Sequence, residues 1–172
     1  MSMTIRRFGD KEPRLGSHVY IDESATVIGD VKLGDGVSVW PGAILRADDG
    51  TVEIGERTAM MDMSFAEAPK GRPVIVGERC IVSHGARLHG CIIRDASLIG
   101  IGAIVLDGAE IGNGSMVAAG SLITPGTKIP GNSFVLGAPA KVLREVTRDE
   151  EAWISREVEV LSAKAAIYQH QK

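Results

Sequence analysis

Two histidines draw attention by their spacing. His84 lies in Val82-Ser83-His84-Gly85 and His89 in Leu88-His89-Gly90-Cys91. Imidazole is the commonest metal ligand and titrates near neutrality, so a close pair can hold a divalent ion or handle a proton. Val82 and Leu88 are apolar and six residues apart, and the histidines fall at different phases of that six-residue unit. They therefore point outward from adjacent faces, and one chain does not bring both onto one ion. Threefold association would, because a face of one subunit then meets a different face of the next. The plainer alternative is that each imidazole only hydrogen-bonds a neighbouring subunit.

Other chemistry is weakly signalled. The Gly-x-Gly pairs fall on the same six-residue rhythm, so they read as corners and not as a phosphate-binding loop. No activated serine is marked. Cys80 sits at a small inward position and Cys91 at a turn after His89, without Cys-x-x-Cys spacing. His18 and His170 read as surface residues, and Trp40 as packing at an edge.

The elements that must position the two histidines follow from the rhythm itself. Leu15, Ile21, Val27, Leu33, Val39 and Leu45 recur every six residues. The register shifts by three to Ile54 and Met60, resumes at Val76, Val82 and Leu88, and after a five-residue step runs from Ile93 to Val135 without a miss. Small residues such as Ala25, Ala43, Thr58, Cys80, Ala86, Ser97, Ala103 and Ser115 follow four positions later. One large and one small inward residue per six make a short strand and a corner, and three such units close a triangle. Stacked triangles pair strand on strand at about 4.8 Å. The expectation is an all-β fold, a parallel β-helix of about seven coils, with a C-terminal α-helix. Residues 1–14 form a lead-in, 15–140 the repeat, and 141–172 a linker and helix. The stretch from Met61 to Pro73, with Pro69, Gly71 and Pro73, reads as a protruding loop.

Composition agrees. The 172 residues include 21 glycines and only 4% aromatics, a profile of many corners and few bulky rings. The net charge of −3 argues against a nucleic-acid or anionic-membrane binder. No apolar run approaches a membrane span and the N-terminus carries no secretory pattern, so a cytoplasmic protein is expected. After Pro139 the repeat stops. Thr147-Arg148-Asp149-Glu150 is a capping-box pattern, and Ile154, Val158, Leu161, Ala165 and Tyr168 form one helical stripe.

Several segments together resemble the gamma-class carbonic anhydrase family. They are Val37-Ser38-Val39-Trp40-Pro41-Gly42-Ala43-Ile44-Leu45-Arg46, Ile54-Gly55-Glu56-Arg57-Thr58, His84 to Cys91, and Val105-Leu106-Asp107-Gly108-Ala109. The resemblance runs from about Arg14 to the C-terminal helix. It implies a left-handed β-helical homotrimer holding zinc, or iron or cobalt, between subunits through three histidines. Two of them match His84 and His89. At the place of the third this chain has Glu67. A carboxylate is a competent ligand, and two His with one Glu is a known zinc set; Glu67 also reads as a plain loop carboxylate. The implied chemistry is attack of metal-bound hydroxide on carbon dioxide to give bicarbonate.

Departures from the family pattern continue around that position. The resemblance implies Asn, apolar, Gln, Asp where this chain reads Ala59, Met60, Met61, Asp62, so the glutamine that orients the hydroxide is lost while Asp62 stays. Arg46-Ala47-Asp48 matches an Arg-Gly-Asp segment whose ends are implied to form ion pairs between subunits near the site; the alternative is a surface pair of little net worth. Asp62, Arg46 and Asp48 are thus the catalytic candidates, and His84, His89 and Glu67 the metal candidates. Met61, Met63 and Phe65 read either as a pocket wall or as packing. Glu53, and Glu67 if it is not a ligand, are the candidate proton shuttles. Weak or absent activity follows from the altered set. Two other readings share the scaffold: a hexapeptide-repeat acyltransferase using acyl-CoA, and a non-enzymatic siderophore- or ligand-binding protein.

Overall fold

The computed structural model describes residues 4–171; residues 1–3 and 172, the outermost parts of the lead-in and the terminal segment, lie outside the described residues. Short parallel strands stack into a solenoid of about seven turns with one helix at its C-terminal end. On one face the strands Tyr20–Ile21, Ser38–Val39, Ala59–Met60, Ile81–Val82, Leu98–Ile99, Met116–Val117 and Ser133–Gly137 pair in that order. An antiparallel return strand, Ala140–Glu145, closes this face at the top.

The other two faces belong to one sheet. Thr26–Leu33 and Ile44–Ile54 are long enough to run across the corner between them, so the ladder continues from Val27↔Leu45 to Leu33↔Ile54 with a register shift between Gly29 and Val31. Above these strands the faces separate again. One carries Phe65–Glu67, Arg87–His89, Ile104–Val105 and Leu122–Ile123, the other Val74–Val76, Ile92–Ile93, Glu110–Ile111 and Lys128–Ile129.

The aliphatic ladder fills the axis. Val27, Val39, Leu45, Met60, Val82, Leu88, Ile93, Ile99, Val105, Ile111, Val117 and Val135 are fully buried, with Ala25, Ala43, Ala86, Ala103 and Ala109 as the small partners. Leu15 departs from expectation: it is 44% exposed, because it lies at the start of the stack with only Leu33 beside it.

The interruption between Met61 and Pro73 is also smaller than its sequence suggests. Phe65–Glu67 is a strand paired on both sides, and Ala66, six residues after Met60, is fully buried in the core. A small alanine stands where neighbouring coils carry Leu45 and Leu88, which hides the rhythm. Only the Pro69–Pro73 corner leaves it.

Corners require left-handed backbone. At one of them Gly42, Met63, Gly85, Gly102 and Gly120 stack, all with φ between 56° and 68°. The N–H of each of the last four donates to the coil below, at Pro41, Asp62, His84 and Ile101. Four glycines take this conformation freely; Met63, at φ 56°, bears a cost of about 1–2 kcal/mol.

The helix Arg148–His170 begins with the expected capping box, in which the Thr147 side chain accepts from the Glu150 N–H and the Glu150 carboxylate accepts from the Thr147 N–H. Ile154, Val158, Leu161 and Ala165 are buried against Tyr20, Trp40, Ala59, Met61, Ile81 and Leu98 of the first face. Tyr168 completes the stripe through its ring, 5.6 Å from Trp40 and 5.8 Å from Tyr20, though half of it stays exposed. Glu159 ties the helix to the corner through Arg57 at 2.5 Å and Arg79 at 3.0 Å.

Candidate metal centre

Side chains alternate along each strand, so inward Leu88 puts Arg87 and His89 outward. In register, Arg46, Glu67 and His89 stand side by side on three stacked strands. Arg46 Nη2 donates to Glu67 Oε1 in a tight ion pair. Glu67 Oε2 lies 4.0 Å from His89 Nε2. On its other side His89 Nδ1 bonds Asp107 Oδ1. Arg72, from the Pro69–Pro73 corner, reaches 3.9 Å from Asp107 Oδ2. Asp48 closes the lower end of the row, 3.7 Å from Arg46 Nε.

His84 occupies the corner before this strand. Asp62 holds the same corner one coil below, and its Oδ2 lies 3.0 Å from His84 Nδ1. Both imidazoles are therefore held in the same way: a carboxylate takes Nδ1 and Nε2 is left for another partner. That is how metal-ligating histidines are commonly oriented, the carboxylate fixing the tautomer and raising ligand basicity.

A divalent ion about 2.0–2.2 Å from each donor sets tetrahedral neighbours about 3.3 Å apart. The Glu67–His89 gap is 4.0 Å. With Oε1 engaged by Arg46, Glu67 would offer Oε2 alone. The three residues fit a metal by donor type, and the two imidazoles also by the way they are held. Among the described residues of one protomer, no three His, Cys, Asp or Glu side chains gather as a cage. His84 stands at a corner, apart from the Glu67–His89 row on the strand that follows.

Other candidates find different places. Met61 is not a pocket wall; it is buried beneath the helix with Trp40 and Ile81. Phe65 is half-buried and Met63 exposed on the side of the two histidines. Glu53 lies on another face, paired with Lys32. Cys80 and Cys91 are fully buried, and burial pushes both thiols up to about 12, so neither is a nucleophile near neutral pH. His18 and His170 are exposed and line a shallow groove at the helix end.

Spacing alone missed the role of Asp107. It lies 18 residues after His89, one full turn of three hexapeptides, so it stands directly above it. It also missed the pairing of Arg46 with Glu67 inside one chain; their separation of 21 residues is a full turn lengthened by the irregular corner at residues 48–52.

A stacked hexapeptide solenoid with carboxylate-held imidazoles on one side defines a class, and known proteins resolve it further. The bacterial transferase hexapeptide (six repeats) family matches residues 12–47 and 90–125. A Methanocaldococcus jannaschii protein named Probable carbonic anhydrase is 49% identical over 136 residues, covering 79% of this chain and 86% of that protein. Gamma carbonic anhydrase 1, mitochondrial, of Arabidopsis thaliana is 39% identical over 159 residues, covering 89% of this chain and 58% of the plant protein. The crystal structure of a hexapeptide transferase family protein from Anaplasma phagocytophilum, 32% identical, superposes with a TM-score of 0.93 over 98% of this chain and 99% of that one. The chain belongs to the gamma carbonic anhydrase-like family of hexapeptide-repeat proteins. No helix in the described residues is long and apolar enough to cross a membrane.

Proposed function

We propose that this chain is a gamma-carbonic-anhydrase-like metal protein that acts as a homotrimer on carbon dioxide or bicarbonate, with weak or no hydration activity. His84 of one protomer and His89 of the next would hold zinc, or iron or cobalt, and Glu67 would be the third ligand. The observation that carries this reading is the shared arrangement of the two imidazoles, each held at Nδ1 by a carboxylate with Nε2 left for a partner. When bound, the ion would supply Lewis acidity toward water, lowered by the charge of a carboxylate donor relative to imidazole.

The chain's own residues do the rest. Asp62 and Asp107 keep the two ring tautomers fixed. Arg46 engages one oxygen of Glu67 and offsets its charge, and Asp48 stands against Arg46 in turn. Met61, buried under the helix where the family pattern has glutamine, offers nothing to orient a nucleophile. The carbon dioxide reading is therefore a reading of an attenuated enzyme.

Protein purified without chelator or metal-affinity tag, examined by metal analysis and sedimentation, tests the assembly. The expected result is a trimer carrying about one ion per protomer; a metal-free monomer would remove the proposal. Stopped-flow hydration on the loaded protein then tests activity. Glu67→His is expected to raise the rate. Vigorous turnover by the unaltered protein contradicts the attenuated reading. A hexapeptide acyltransferase is the second reading, favoured by the transferase family name of the Anaplasma neighbour. Tight binding of acetyl-CoA by metal-free protein would replace the first reading with it. A metal-loaded trimer inert toward carbon dioxide would favour a non-enzymatic binding protein, a siderophore being one ligand to try.

A further inference from the structure

The stacked corner of Gly42, Met63, Gly85, Gly102 and Gly120 contains one residue that does not belong there on conformational grounds. A Cβ added at Gly85, Gly102 or Gly120 would meet nothing within 4 Å, so a side chain at this corner points away from its own protomer. Met63 has such a side chain and is 74% exposed, more than any other large apolar residue described. Within the protomer its Cγ lies 3.4 Å from where a Cβ on Gly42 would be. His18, Arg57, Arg79, Ala96 and Asn132 hold similar positive φ at other corners, so what sets Met63 apart is the bare thioether on that backbone. Met63 also directly follows Asp62, the residue holding His84. Exposed Ile44 and half-buried Phe65, which open the strands bearing Arg46 and Glu67, continue the apolar surface from it.

We infer that Met63 is buried by a second copy of this chain, where it caps the neighbour's Glu67–His89 half-site. The inference rests on the trimeric reading above. If His84 of one protomer meets His89 of the next, the residue beside His84's carboxylate partner lies at that junction too. An unbranched, flexible thioether suits an irregular gap between two surfaces, and it excludes water where glycine would leave an opening. The strain at the corner is then offset across the seam.

Peroxide footprinting of the native protein, with methionine sulfoxide mapped by mass spectrometry, reads this directly. Met63 is expected to oxidise at least tenfold more slowly in the assembled protein than in the urea-unfolded chain, despite its exposure in the protomer. Met60, fully buried in the core, reports that the fold stays intact. Met63→Gly is expected to weaken assembly at least tenfold by sedimentation; Met63→Leu is expected to retain assembly. A trimer in which Met63 oxidises as fast as in the unfolded chain, or in which Met63→Gly assembles undiminished, overturns the inference and leaves the trimeric reading standing. A monomer overturns both.

Discussion

Beneath the helix, the outward positions of the first face read Tyr20, Ser38, Ala59, Ile81, Leu98 and Met116, and the chain covers them itself with Ile154, Val158, Leu161 and Ala165. On the neighbouring face the corresponding positions read Ile44, Phe65, Arg87, Ile104 and Leu122, and the helix packs instead on the first face. The two columns are built by the same rule and are both mainly apolar, the second interrupted by exposed Arg87. One is finished within the protomer; the other remains half-exposed and carries Arg46, Glu67 and His89 beside it. Apolar surface bounded by charged groups is typical of an association site. The contrast teaches that coverage, and not pattern, separates the two faces here.

Loss of coverage should cost most on the covered face. Leu161→Ala is expected to remove about 2–4 kcal/mol of stability, lowering the melting temperature by roughly 5–15 °C. On the other face Ile104→Glu should leave protomer folding within about 1 kcal/mol while abolishing assembly, which sedimentation would detect; a trimer that survives it means that this column is not the seam. Between them in character is Asp107→Asn, expected to weaken metal binding by about 10–100-fold with little change in melting temperature, checked by competition with a chelating dye. If instead the melting temperature falls and metal binding does not, Asp107 is merely a strut.

The smallest effects belong to the helix start. Thr147→Ala should cost about 1 kcal/mol by removing the cap. Hydrogen bonding from Arg144, and then from the Thr147 backbone, lowers the Glu150 carboxyl to about 2. Its folded value lies below its unfolded one, so its contribution is present above about pH 4.5 and fades as pH falls toward 2. Glu150→Gln should flatten that part of the stability profile, followed by helical circular dichroism between pH 5 and pH 2, while the bare face is unaffected.

The solenoid was legible because its core demands one branched aliphatic residue every six positions, and Ile93 to Val135 meets that demand at every step. Where the inward residue shrinks, as at Ala66, the period disappears from view although the coil does not. The helix stripe and its cap were legible for the same reason: local chemistry repeats at the helical period. The site was half legible. His84 and His89 announce themselves by type, but their carboxylate partners lie a full turn away along the chain. For Met61 the choice between pocket wall and packing could not be made from the sequence, because an outward residue is exposed only if nothing covers it; the helix that covers it begins 87 residues later and makes it packing. Met63 was visible as a residue, but its strain exists only once the corner is built.

The return strand Ala140–Glu145 has a last consequence. A stack of parallel coils offers its topmost rung as a template for any further chain that can add to it, and a protein built only of such rungs has no intrinsic length. By reversing direction against Ser133–Gly137 and leading into Val146 and the helix, the chain ends the stack with a rung that does not match the ones below. On that face the stack is thereby closed to a further parallel rung by the chain's own sequence.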